Sequence, residues 1–391
     1  MSWYAYPLAW AEHDALRQAA RRWQRRGLLT AAQQAAIETA YPVGYERPVL
    51  FLRIGLFGAA LFGISSLLGM VGLMTGLEVS PLLYGVLALV GCLAGLELVI
   101  RNSRHYRSGL DNALLYCALL AWGFLVAYGL RDLLSDSLGS SNLWLWLLPV
   151  LLALLAALLR YADPVVAAAT FVTALALLAN GLLQSSTGRL LLPFAVMTAS
   201  GALLLALRGL PARADYFYYR SAGLVLRTLG LAVFYLAGNY LVVREGNAEL
   251  LGGGSPSAEI PLAFLFWLFT AVIPLLYITL GLRRHDRLLL NMGLLAVAFS
   301  LFTLRTYHAL LPPAVASAIG GAVLLAVALA ALRYLRAPRH GLTAAADEDA
   351  DPHFKLETFI TAETAHAPAA PEAGFQFGGG HSGGGGAEGQ F

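Results

Sequence analysis

Charge is what this sequence lacks most. Only 13% of its 391 residues are charged, 58% are hydrophobic, and the mean hydropathy is +0.67. Soluble domains carry about 25% charged residues, so a chain this poor in charge cannot cover a water-facing surface. Lysine is almost missing, with Lys355 the single example, and the small net charge of +3 comes from arginines spread over the ends of apolar blocks. A nucleic-acid binder gathers basic charge into one patch, so no nucleic-acid partner is expected. Cysteine is scarce too. Cys92 and Cys117 lie inside apolar runs as small fillers, with no spacing for a disulfide framework or a metal site. GxGxxG, Walker, HExxH and GxSxG patterns are missing ahead of the low-complexity Gly-rich end, so the sequence suggests neither a cofactor nor an enzyme. His105, His285 and His308 fall in three different loops, too few ligands for a metal.

What the chain has in abundance is apolar blocks of about 18–22 residues, the length that crosses a ~30 Å hydrocarbon core. They predict an all-α, polytopic transmembrane helix bundle of about ten spans: 54–75, 81–100, 110–130, 142–159, 163–184, 190–207, 222–243, 261–282, 288–304 and 313–332. Arginines set the orientation. Alternate loops hold Arg101, Arg104, Arg107, Arg160, Arg208, Arg213, Arg220, Arg283, Arg284 and Arg287, and the opposite set only Arg131, Arg189, Arg244 and Arg305. The rich side also takes Arg47, Arg53, Arg333, Arg336 and Arg339, so both termini are expected in the cytosol, which an even number of spans satisfies. The loop at 244–260 is then extracytoplasmic. Trp144, Trp146, Tyr216, Tyr218 and Tyr219 sit where interfacial anchors belong.

Three regions are expected: residues 1–50, the bundle at 51–337, and a tail at 338–391. The first reads as a helical hairpin over 8–41, with Leu16, Ala20, Trp23 and Gly27 at helical spacing. Glu12 and Asp14 are placed in its first turn, Arg21, Arg22, Arg25 and Arg26 in its last, Gly27 at the C-cap, and Thr30 to Gln33 as a capping box before a second helix that stops at Pro42. No removable leader is expected, the first span serving as an uncleaved anchor. The tail is first Ala/Pro/acidic and then Gly-rich, a composition that cannot bury enough apolar surface to order itself.

Ionisable groups inside a bilayer are costly and therefore candidates for function. Glu97, Asp111 and Arg227 come out at a similar depth near the arginine-rich side, which leaves two readings: an interfacial Asp111 with a snorkelling Arg227, taken first, and one ionic cluster of the three. No ionisable group lies near the middle of any span, which argues against a proton-driven carrier. Ser65, Ser66, Thr173 and Thr198, with Thr170 and Ser200, are the mid-depth polar candidates for a lining. Gly55, Ala59 and Gly63, and the GxxxG of Gly91 and Gly95, are expected to be close helix contacts. Pro149 and Pro274 are expected to kink their spans.

The segment RRWQRRGLLTAAQQAAIETAYP, followed by LRIGLFGAALFGISSLLG, carries Trp23, Gly27, Leu28, Leu29, Thr30, Gln33 and Ile37. It resembles the start of a family of bacterial multi-pass membrane proteins of unknown function, in which a short "W…GLI(S/T)…Q…I" hairpin precedes the first span. The closing FGGGHSGGGGAEGQF is similar to Gly-rich ends of assorted bacterial membrane proteins. The resemblance implies a bacterial inner membrane and several spans, and no substrate or catalytic residue. The reading taken first is a non-catalytic scaffold or regulatory protein, with the lipid bilayer around it and a protein partner met through the hairpin or tail. The alternative is a facilitator or secondary transporter of a small uncharged or lipid-like substrate; a lipid enzyme has no motif in its favour.

Overall fold

The computed structural model describes residues 4–307, apart from 46, 47, 49, 75–79, 104–106, 134–140 and 251–258, and only isolated residues beyond 307. Among the described residues there are twelve α-helices and no strand. The expected tenth span and the tail fall almost wholly outside them.

The hairpin is α1 (Leu8–Arg25) and α2 (Ala31–Ala40). The Thr30 Oγ1 accepts the Gln33 N–H at 3.2 Å while the Gln33 Oε1 accepts the Thr30 N–H at 2.9 Å, a capping box that satisfies two helix-start donors. Gly27 takes φ +72°, the left-handed geometry that ends α1. The two helices are clasped by Glu38, which accepts from Arg21 at 2.8 Å, Gln34 at 3.0 Å and Arg17 at 3.2 Å. The Arg21 guanidinium is the main reason its carboxyl is held down at about 2. One detail differs from expectation. Pro7 starts α1 earlier than the acids suggested, so Glu12 and Asp14 lie beyond its first turn.

Nine of the other described helices are long and apolar enough to cross a membrane: α3 (Leu50–Met74), α4 (Pro81–Leu98), α5 (Leu110–Gly129), α6 (Trp144–Tyr161), α7 (Pro164–Leu183), α8 (Ser186–Leu207), α9 (Tyr216–Gly238), α11 (Ala263–Arg283) and α12 (Arg287–Tyr307). A π turn, Val99–Ser103, extends α4, and α10 (Tyr240–Leu250) is short. Ser80, Asp163 and Ser185 each cap the helix they precede, with Pro81 and Pro164 at first helical positions. Large apolar side chains point outward from these helices; Leu120 is 74% exposed and Phe264 81%. No residue in the most apolar window of α3 is buried, and only 33% of that of α5. Such surfaces are tolerable against hydrocarbon and not against water. This is a membrane protein.

Residues up to Pro312 form one compact unit. Within it α4, α5, α6 and α7 enclose one apolar core around Leu96, Leu115, Leu154 and Val166, and α9, α11 and α12 enclose another around Leu231, Ile273, Tyr277 and Ala296. Helix α9 joins them, since it packs on α7 and α8 as well as on α11 and α12, and carries α1 on its first turns. Helices α11 and α12 approach closely because Gly281 and Gly293 leave room. A Cβ at Gly281 would stand 2.8 Å from the Leu290 backbone nitrogen, and one at Gly293 2.9 Å from that of Ile278. The expected small-residue stripes behave otherwise. Among the described residues Gly55, Gly63 and Gly91 face nothing within 4 Å, and of the stripe glycines only Gly95 meets a neighbour, Leu114. Four-residue spacing identifies a small face without saying which way it points.

Candidate functional site

Two polar assemblies lie at opposite ends of α9. At its first turns is the arginine-rich end. Here Asp111 opens α5 by accepting from the Arg107 N–H at 2.7 Å, the Ser108 N–H at 2.9 Å and the Ser108 hydroxyl at 3.1 Å. Gly109 between them takes φ +97° and lies so close to Arg53 that a Cβ would stand 2.2 Å from its carbonyl oxygen. Asp163 caps α7 through the N–H groups of Val165 and Val166, and accepts from Asn112 and Tyr116 at 3.0 Å each. Arg107 donates to the Ala162 carbonyl at 3.1 Å and to Ser221 of α9. Both Arg107 (φ +52°) and Ala162 (φ +50°) are non-glycine residues in the left-handed region, a mild strain held by these bonds. Between Arg107, Asp111, Asn112, Tyr161 and Asp163 is a cavity of about 20 Å³, room for one water. The N-terminal segment closes it. Tyr6 lines the cavity, the Ala5 N–H donates to the Arg160 carbonyl at 3.1 Å, and the Tyr4 ring packs edge-on against Tyr218 at 5.3 Å. At this rim Arg213 binds Asp215 through two 2.8 Å bonds and holds its carboxyl below the ordinary range.

The single-cluster reading of Glu97, Asp111 and Arg227 is corrected by these contacts. Glu97 accepts from Arg160 at 2.5 Å and lies 3.5 Å from Arg101, Asp111 holds the Arg107–Ser108 turn ahead of α5, and Arg227 pairs with Asp286 in the turn before α12. Depth along a helix places a residue on a level but not on a face. At residue 227 α9 faces the α11–α12 turn, away from α4 and α5.

The other end holds the less expected feature. The seventh span, read as continuous over 222–243, begins at Tyr216 and breaks after Gly238. Asn239 is extended, fully buried, and starts α10. Its Oδ1 accepts from the N–H groups of Leu241 at 3.0 Å and Val242 at 3.3 Å, and its Nδ2 donates to the Tyr235 hydroxyl at 2.9 Å and the Thr303 Oγ1 at 3.1 Å. Tyr235 in turn donates to Ser300 at 2.8 Å, and Ser300 to the Thr270 carbonyl at 2.7 Å. The Thr270 Oγ1 accepts the Tyr240 N–H at 2.9 Å. Polar groups freed by the break are thus supplied with partners from α9, α11 and α12, as irregular backbone at membrane depth requires. Thr270 and Ser300 sit two turns from the nearby ends of α11 and α12, so the break lies ~10 Å inside this end. Beyond it, Tyr240 stacks on Trp267 at 4.5 Å, Arg244 lies 4.6 Å above the Tyr307 ring, and Tyr307 bonds Glu245 at 2.5 Å.

Beside the break is a cavity of about 330 Å³. Pro193 and Val196 of α8, Leu236 and Ala237 of α9, and Val242 and Val243 of α10 form its apolar wall, with Arg189 and Asn247 as polar members. Leu190 and Leu236 at its rim are exposed, so it opens at the protein surface. Its size falls at the small end of ligand sites. No family model, curated protein or solved structure matches the chain. What this cavity receives has to be argued from its walls.

The hydroxyls expected to line a mid-depth passage line neither cavity. Ser65 and Ser66 are exposed on α3, Thr198 is exposed and donates to the Phe194 carbonyl at 2.7 Å, and Thr173 is half-buried on α7. Bonding within their own helix leaves such residues free to face any direction. Sequence reasoning missed Asn239 and its partners. The available signal was Gly238-Asn239 inside an apolar run, a helix stop followed directly by a helix start. Cys92 and Cys117 meet across the α4–α5 contact. Among the described residues no three His, Cys, Asp or Glu side chains converge as a metal site.

Proposed function

We propose that this chain is a non-catalytic membrane facilitator for a lipid-like molecule, which enters sideways from the bilayer into the cavity at the α9 break. The supporting observation is the pairing of a broken helix with an apolar cavity whose walls include both sides of the break. Helix breaks in membrane proteins are tolerated where backbone is buried in protein or lines a cavity, and carrier sites commonly form at them. Here Leu236 and Ala237 precede Asn239, and Val242 and Val243 follow it, so a tilt of α10 changes the cavity directly. The wall suits an apolar body and offers no ionisable group besides Arg189. In this reading the arginine-rich end faces the cytosol, both termini are there, and the membrane is a bacterial inner membrane.

The test is lipid movement in proteoliposomes holding the full chain and a fluorescent single-chain lysophospholipid, followed by chemical quenching of the outer leaflet. The wild type should speed loss of inner-leaflet fluorescence over empty vesicles, and Ala237→Trp, which fills the cavity, should remove the gain. Equal rates in wild-type and empty vesicles overturn the facilitator reading. The second reading, a scaffold acting through the hairpin or tail, draws on α1 and α2. Glu38 holds them together and α1 is docked on α9 rather than free.

A further inference from the structure

The cavity wall is apolar, but its one charged member lies at one end of it. Arg189 stands in the first turn of α8, and Val196, seven residues further on, lies ~10 Å deeper along the same wall. Among the described contacts the Arg189 guanidinium uses only its Nε, donating to the Leu183 carbonyl at 3.3 Å. The side chain is exposed, leaving planar donors that match a carboxylate or phosphate oxygen pair. Of the other charged residues of this end, Glu249, Glu259 and Arg305 are exposed and outside the cavity lining, and two are occupied. Arg244 is bound to Tyr240 and lies over Tyr307, and Glu245 is bound to Tyr307. Among the described residues no carboxylate lines the cavity. An occupant with a negative head and a single narrow apolar chain satisfies both ends, whereas an uncharged one leaves the guanidinium with water alone. A two-chain lipid could seat only one of its chains in about 330 Å³.

We propose that the cavity is a binding site for an anionic single-chain amphiphile, its head on Arg189 and the first part of its chain between α8 and the broken α9–α10 segment. This rests on the reading of the cavity as a ligand site and adds the charge and shape of the ligand.

The probe is cis-parinaric acid, a fluorescent fatty acid, titrated at pH 8 into the full chain in nanodiscs of zwitterionic lipid, with its methyl ester as the neutral twin. The acid should bind at least about tenfold more tightly than the ester, the scale of one charge-assisted pair. Arg189→Gln should cut acid affinity by about tenfold and leave the ester unchanged, and Arg189→Lys should restore part of it. Val196→Phe and Ala237→Trp should each block both probes, two variants guarding against one that fails to fold. If acid and ester bind alike and both variants block them, the ligand site stands and the anionic assignment falls. Binding that neither cavity variant alters overturns both, as does no binding at all.

Discussion

Replacing Asn239 by Leu keeps the number of side-chain heavy atoms and removes every side-chain hydrogen bond the residue makes. Two of those bonds cap α10, on the N–H groups of Leu241 and Val242, and the others connect to Tyr235 and Thr303. Loss of an Asn cap costs about 1 kcal/mol. The tyrosine and threonine hydroxyls keep other partners, Ser300 and the Phe299 carbonyl, so their loss is partial, about 1 kcal/mol each. The orphaned α10 N–H groups add about 1–3 kcal/mol because water is not at hand beside a fully buried residue. The sum is roughly 4–6 kcal/mol, half or more of it on α10. Reversible unfolding of the purified protein in detergent–SDS mixtures measures it. Asn239→Ser, which keeps a capping oxygen, should lose about half as much. A stability change under about 0.5 kcal/mol for Asn239→Leu would refute the claim that side-chain bonds hold the break.

Four further outcomes are expected. Gly293→Leu should separate α11 from α12 and cost about 2–3 kcal/mol or more in the same assay, because its Cβ meets Ile278 backbone rather than a movable side-chain tip; a neutral result would mean that the two helices slide apart freely. The Glu38 carboxyl is held near 2 in the folded hairpin against about 4.5 unfolded, so its stabilisation is complete above about pH 4.5 and is lost as pH falls toward 2. Its side chain is 23% exposed and its partner Arg21 55%, so the contribution is at most about 1 kcal/mol. Amide protection factors in α1 and α2, taken relative to the intrinsic exchange rate at each pH, should fall on acidification, and in Glu38→Gln this pH step should be missing. Removing one partner of a half-buried pair should also matter, so Glu97→Leu, which leaves Arg160 without its 2.5 Å contact, should destabilise the protein by about 1–3 kcal/mol, and Glu97→Leu with Arg160→Leu by less. For orientation, Ala248→Cys in α10 should react with an impermeant maleimide from outside intact cells, and labelling only after lysis would reverse the topology.

Much of the fold was legible because lipid imposes a length rule. Eight of the ten expected blocks coincide with long helices within about four residues, the seventh is displaced by five or six, and the Thr30–Gln33 box and Gly27 were readable as local chemistry that no tertiary contact overrides. The site was not legible in the same way. Glu97, Asp111 and Arg227 were rightly marked as costly residues needing partners, but the partners Arg160 and Asp286 lie 63 and 59 residues away on helices whose facing direction sequence does not specify. Thr198, bonded to the Phe194 carbonyl, illustrates the opposite failure. A hydroxyl satisfied by its own helix carries no information about a cavity. Asn239 was readable in principle, and an apolar run that continues on both sides of it hid the break.

The account depends most on the cavity beside Asn239 being occupied by a lipid-like molecule in the membrane. Native mass spectrometry of the full chain released from its own membrane tests this directly. The wild type should retain one amphiphile per chain, and Leu120→Trp, on the exposed face of α5, should retain it too, while Ala237→Trp loses it. Retention that is the same in all three proteins, or seen in none, would contradict the account.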